Sequence, residues 1–374
     1  MTDPMDVAGF LVERTVRLFG EDVDLIAIYG SRALEQARPD SDLDIFFVPR
    51  DGRTPSVGRT FLLDGLLYDF WGIPWERLEG FATGTARSFA FAPSLVLNAR
   101  PLYTRTDAVA QRFEELRGRV RQLQEAEAGP GMRDRAGDAV DRMLSGMETL
   151  RLAARHGKTG DLRHAAYHVA ELAWEALALA NQVVFPRGFA KGLRQPDLFA
   201  ERPGDAAVLV ERMTCSDDPG TILRTAEDLV ASTREVVDRL RLRDASPDKP
   251  ADRFHQAYPE IRDAIGKVLA ACENGDALGA GACAYLIQRE VMEALNDVTE
   301  GRPVTEHSLA SDYGNEYRRL GLPILTAINP NDAEALHAAA LTLDRMVRDY
   351  LQRESIELCE FDSLAEVEAA MDQG

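Results

Sequence analysis

The sequence predicts an α+β chain, with a small mixed-sheet domain over residues 1–110 followed by an all-α helical-bundle region that bears the marks of a tandem repeat. Three observations predict this. Short apolar runs of strand length, bounded by turn residues, are confined to the first hundred residues. From about Asp107 onward they vanish, and Ala, Leu, Arg and Glu recur at helical spacing instead. That helical half is broken at Gly129-Pro130-Gly131, Pro186 to Gly192, Pro203-Gly204 and Ala245 to Pro250.

Asp6 to Phe19 carries apolar residues at helical spacing. Val23 to Tyr29 is a continuous apolar run ending at Gly30, which suits a buried strand, and Leu43 to Val48 is a second one closed by Pro49. The run RTFLL, the pair Asp64-Gly65 and the run LLYDFWGIP form the pattern of a hairpin with a two-residue turn. A helical stretch near Trp75 to Phe81 and a short strand over Arg100 to Arg105 complete the first domain. Helical domains are expected over 111–245 and 251–353, joined by the charged, proline-containing DASPDKP, with an acidic tail over 354–374. Placing Gly160-Asp161 over Gly275-Asp276 keeps Ala165 with Ala280, Glu175 with Glu290 and Asn181 with Asn296, which suggests a duplication.

With 374 residues, 45% apolar and 28% charged, the chain falls in the globular range. It has no apolar run of the roughly 20 residues a bilayer span needs, and its start lacks a basic-then-apolar signal layout, so a cytoplasmic location is expected and no membrane partner. Cys215, Cys272, Cys283 and Cys359 lie far apart with no CxxC pair, which argues against a disulfide framework or a structural zinc site. The formal charge is −19, and the residues from Ala251 onward hold 23 acidic against 10 basic side chains. Such a surface repels phosphate backbones, so no long nucleic acid is expected, whereas a polycationic small molecule would be drawn in. Oligomeric state is not legible.

The informative stretch is IAIYGSRALEQARPDSDLDIFFVPR. It puts Gly30-Ser31 at the end of one buried strand and Asp42-Leu43-Asp44 at the start of the next. Alternate residues of a strand share a face, so Asp42 and Asp44 present two carboxylates to one spot. Like charges that close need a cation, and paired hard oxygen ligands suit Mg²⁺, which takes its remaining ligands from waters and substrate phosphates. Gly30 allows close approach of the backbone to a polyphosphate, and Ser31 and nearby N–H groups can donate to its oxygens. Asp69 stands among apolar neighbours in LLYDFWG, where an unpaired charge is costly, and is expected to converge on the same site. Asp40 precedes the strand and reads as a turn residue.

This set, Gly-Ser, then Asp-x-Asp, then an aspartate in a later strand, resembles the polymerase β-like nucleotidyltransferase superfamily, in particular the antibiotic nucleotidyltransferases typified by the kanamycin-modifying enzyme. The resemblance covers about residues 20 to 75 motif by motif. It implies transfer of a nucleoside monophosphate, with AMP from ATP the expected case, to a hydroxyl of a small molecule such as an aminoglycoside, with release of pyrophosphate. It further implies two Mg²⁺ ions held by Asp42, Asp44 and Asp69, with Asp69 a ligand, the base, or both. Arg32 follows the serine and could reach the phosphates or stay at the surface.

In HAAYHVAELAWEALALANQ, residues His164, His168, Glu171 and Glu175 form one polar stripe on an otherwise apolar helix. By the resemblance, Glu171 or Glu175 would contact the acceptor or the base. Arg187 and Lys191 in FPRGFAKG resemble a basic loop that reaches the triphosphate in several relatives. Trp174 and Tyr167 read as core residues. Arg163 and His168 also match the R-x4-H spacing of HEPN-type ribonucleases, a reading the acidic surface disfavours. Two alternatives keep or drop the chemistry: a nucleotidyltransferase acting on a protein or tRNA in a toxin–antitoxin-type system, or a catalytically silent nucleotide-binding module.

Overall fold

The computed structural model describes residues 2–371 apart from 52–56, 86–87, 187, 306, 357, 359 and 362, and it describes only the backbone of 251–252, 255–256 and 369–371. Arg187 and Cys359 therefore lie outside the described residues. The chain divides into two compact units, Met1–Leu240 and Arg241–Gly374. Among the described residues no helix is long and apolar enough to cross a membrane.

The first unit opens with helix α1 (Pro4–Phe19), capped by the Asp3 side chain accepting from the Met5 N–H. Among the described residues the one-turn helix α2 (Gly30–Ala33) and five strands follow: β1 (Val23–Tyr29), β2 (Leu43–Pro49), β3 (Arg59–Leu63), β4 (Leu66–Gly72) and β5 (Arg100–Thr104). Their spatial order is β3-β4-β2-β1-β5. Only β2 and β4 pair in parallel, so the sheet is mixed, as the apolar runs predict. The β3–β4 hairpin turns at Asp64 and Gly65, with φ of 52° and 80°, the double positive φ of a type I′ turn.

Strand pleating splits the sheet's side chains between two cores. Ile45, Phe47, Tyr68 and Phe70 pack on one face with Val7 and Ala8 of α1. Phe46, Val48 and Trp71 pack on the other, against the helices α3 (Trp75–Ala82), α4 (Pro93–Asn98) and α5 (Asp107–Glu125). Asp44 and Asp69 have the parity of this second face, beyond the end of its apolar packing.

Residue 110 falls within α5 and is not a packing boundary. Helices α6 (Pro130–His156) and α7 (Thr159–Asn181) form a hairpin, followed by the short α8 (Phe189–Gly192), then α9 (Ala206–Cys215) and α10 (Pro219–Arg241). Their core takes in Phe89 and Ala90 from the segment between α3 and α4. The Phe185 N–H donates to Ala90 O and Asn98 Nδ2 to Pro186 O, which binds the sheet region and the first helical block into one unit.

The second unit repeats that helical layout by itself. A long helix opening on proline, α11 (Pro250–Glu273), turns at a left-handed glycine into the 23-residue α12 (Ala277–Thr299), as α6 turns into the 23-residue α7. Short helices α13 (Ala310–Tyr313) and α14 (Asn315–Arg319) lead to a long closing helix α15 (Ala333–Arg353), and α16 (Leu364–Met371) ends the chain. The positions that the sequence comparison aligns are used differently. Glu290 pairs with Arg253 at 3.0 Å, whereas Glu175 is 7% exposed and accepts the backbone N–H groups of Phe89 and Ala90 at 2.7 and 2.9 Å.

That last contact fixes the segment between sheet and helices. In Glu175→Ala two buried N–H donors lose their acceptor, so unfolding in denaturant is expected to require about 2–4 kcal/mol less than in the wild type.

Candidate functional site

Tyr29 and Asp44 are register partners across β1 and β2, and Asp44 and Asp69 are register partners across β2 and β4. Three polar side chains thus stand in a row on one face of adjacent strands. At the end of β1 the chain bends at Gly30, whose φ is +73°. A Cβ there would collide with Asp44 Oδ2, so glycine is required both by the left-handed backbone and by the carboxylate lying against it. The Ser31 hydroxyl is buried with no hydrogen-bond partner among the described residues.

Gly30, Ser31, Asp42, Asp44, Phe91 and Lys191 line one cavity of about 1010 Å³. The exposed cross-strand pair Leu62 and Leu67 extends its wall along the hairpin. Lys191 on α8 borders the aspartates' cavity. Asp42 is exposed, while Asp44 and Asp69 are half-buried. Burial, followed by the negative charges of Asp42 and Asp69, pushes the Asp44 carboxyl up to about 6. Burial and then Asp44 likewise raise the Tyr29 phenol, whose oxygen accepts from Trp71 Nε1 at 2.9 Å.

Asp69 is turned partly aside. Its Oδ1 accepts from Thr60 Oγ1 of β3 at 2.6 Å, and Asp69 does not itself border the cavity. Among the described residues no three side chains of metal-binding type are drawn up around one point. The expected convergence of three carboxylates thus reduces to a register pair with Asp42 beside it, because Thr60 draws the third toward the sheet edge. The donor set still fits Mg²⁺ with a polyphosphate: hard carboxylate oxygens, a half-buried acid whose ionised form has no counter-charge among the described residues, a buried hydroxyl with no partner among them and a close backbone bend.

Arg32 turns back on its own loop, donating from Nε to Asp42 O at 2.9 Å and from Nη2 to Ser41 O. It does not border the cavity and secures the backbone in front of Asp42 rather than reaching outward. Asp40 pairs with Arg38 at 3.1 Å in the preceding turn, the role its position indicated.

Glu171 and Glu175 are not brought to the aspartates' cavity. They line a second cavity, which shares Phe91 with the first. Glu175 is spent on the backbone N–H groups described above, and burial raises its pKa despite them. Its residue type pointed to chemistry, but its position at the α7 core makes it an anchor. Trp174 is core, its Nε1 donating to Gly192 O at 3.1 Å, whereas Tyr167 is 45% exposed and corrects the expectation of burial. Arg163 binds Asp217 while His168 faces Glu171, so the R-x4-H residues do not act as a pair. Sequence reasoning missed Tyr29, Thr60, Trp71 and Arg142. The first three were discoverable, since each shares strand parity or register with a noted aspartate.

No protein-family model matches the chain. No curated protein matches it. Among solved structures the chain is similar to the crystal structure of a nucleotidyltransferase-like protein from Exiguobacterium sibiricum 255-15, at 13% identity over 91% of this chain and 92% of that one, with a TM-score of 0.36. At that level the match carries no weight for the chemistry, which the side chains must decide.

The raised Asp44 pKa gives a signed pH dependence. Above its ordinary range the folded state holds the proton more tightly than the unfolded chain, so stability is lost as pH rises through about 6. Asp44→Asn cannot ionise and is expected to exceed the wild type by on the order of 1–2 kcal/mol at neutral pH, allowing for the side chain's partial solvation. Denaturant titrations in chelator should show that margin vanish below about pH 4. Added Mg²⁺ should raise the wild-type melting temperature more than the variant's.

Proposed function

We propose that the protein is a Mg²⁺-dependent nucleotidyltransferase that moves a nucleoside monophosphate, AMP from ATP being the expected case, onto a hydroxyl of a small molecule. The observation that carries this reading is the Gly30 bend pressed against Asp44, with Asp69 in register beside it and the unpartnered Ser31 hydroxyl alongside. Asp42 and Asp44 would hold the metal, with Asp69 standing in register beside Asp44. When bound, the ion supplies charge neutralisation for the triphosphate and lowers the pKa of the attacking hydroxyl.

The chain's own residues do the rest. Ser31 Oγ donates to a phosphate oxygen, and the Gly30 backbone allows that phosphate to come near. Lys191 offsets the charge that moves onto pyrophosphate as the bond between the α-phosphorus and its bridging oxygen breaks. The acceptor oxygen forms the new bond to the α-phosphorus. Its proton passes to Asp69, whose Oδ2 is the oxygen not engaged by Thr60. Arg32 keeps Asp42 in place through the Ser41 and Asp42 carbonyls. Leu62, Leu67 and Phe91 offer apolar surface to ribose and base with no hydrogen-bond reading of the base.

The full chain, incubated with Mg²⁺, each NTP and a panel of hydroxylated molecules that includes aminoglycosides, is expected to release pyrophosphate with at least one pair. Asp42→Ala plus Asp44→Ala should lower the rate by on the order of a thousandfold or more. Asp69→Asn should lower kcat with little change in the affinity for Mg²⁺-NTP. Wild-type turnover in the double variant would refute the mechanism. NTP binding with a protein or tRNA labelled in lysate instead would move the acceptor to the macromolecular class.

A further inference from the structure

The second cavity, of about 460 Å³, lies among α6, α7 and the segment that carries Ser88 and Phe91. That volume is in the range of small-molecule sites and exceeds what one amino acid fills. Charges of both signs border it. Arg142 of α6 is half-buried, borders the cavity, and makes no hydrogen bond or ion pair among the described residues. Glu175 lies close enough to feel its charge, but both oxygens of that carboxylate are taken by backbone N–H groups. Glu171 of α7 borders the same cavity and is exposed, and the imidazole of His168, which also borders it, lies 3.6 Å from the Glu171 carboxylate. A half-buried guanidinium and an exposed carboxylate therefore face a common space.

We infer that this cavity binds a hydroxylated zwitterion of about dipeptide size, its anionic group on Arg142 and its ammonium on Glu171. The further assignment of that ligand as the acceptor rests on the transferase reading above. Phe91 borders both cavities, so a molecule held in the second lies against the wall of the first. The charge of −19 draws cations to the surface at large. Within the cavity the nearest charge matters most, and a polycation would set an ammonium against the half-buried Arg142. A zwitterion meets both groups, and a guanidinium can bind a carboxylate through two parallel N–H donors.

The test is calorimetric titration of the full chain, without nucleotide, with glycyl-L-serine, its C-terminal amide and its N-acetyl derivative. The free dipeptide is expected to bind about tenfold or more tightly than either derivative. Arg142→Ala should erase the preference for acid over amide, Arg142→Lys should restore part of it, and Glu171→Gln should erase the preference over the N-acetyl form, with unchanged far-ultraviolet dichroism in each. Absence of dipeptide binding, equal binding of acid and amide, or an undiminished preference in Arg142→Ala would overturn the assignment. So would tighter binding of a polyamine that Arg142→Ala leaves unchanged. Dipeptide binding without pyrophosphate release would uphold the cavity and count against the transferase reading. Pyrophosphate release on other acceptors, with no dipeptide binding, would do the reverse.

Discussion

The constraint on which the first unit depends is electrostatic: Asp44 is a half-buried carboxylate with two like charges for neighbours and, among the described residues, no cation beside it. A protein with no use for such a group would be better off with an amide or an apolar side chain there. Instead the surroundings preserve it. Gly30 leaves it room, β2 and β4 hold it beside Asp69, and Arg32 secures the loop from which Asp42 projects. Thr60 and Trp71 steady its neighbours Asp69 and Tyr29 through single hydrogen bonds. Local stability is given up so that one carboxylate oxygen remains available at a cavity wall.

The helical block of the first unit bears on this arrangement through one short segment. Residues 88–91 leave the sheet region, enter the helical core at Phe89 and Ala90, and present Phe91 to both cavities. Glu175 anchors that segment from below. A buried carboxylate is a costly anchor unless its hydrogen bonds are complete, and here two backbone donors meet it. The same side chain thus serves packing, while Glu171, one turn away, is exposed and faces His168.

Much of the sheet was legible because its signals are local. Continuous apolar runs, the Asp64-Gly65 turn and the aspartate spacing each rest on strand periodicity or turn stereochemistry, and the observed register follows them. What the sequence did not convey depends on which neighbour a side chain finds in space. Glu175 and Glu171 are alike in type and lie on the same stripe, yet one is buried among core helices and the other is exposed. Arg32 carries the same charge whether it reaches toward a phosphate or folds back to carbonyls twelve residues or fewer along the chain. The boundary near residue 110 followed from a change in periodicity, but periodicity reports local conformation and not which hydrophobic surfaces merge. Phe89 and Ala90, from the segment between α3 and α4, pack into the helical core and not the sheet's.

The hydrogen-bonded pairing of β2 with β4 has an all-or-none character. Because side chains alternate along a strand, sliding β4 by a single residue would bring Tyr68 or Phe70 opposite Asp44 and turn Asp69 to the α1 side of the sheet. Intermediate positions do not exist. Change in this chain can therefore act gradually on the walls of the cavity, on Leu62 or Lys191, but the two acids must be inherited or lost together as a fixed alignment of strands.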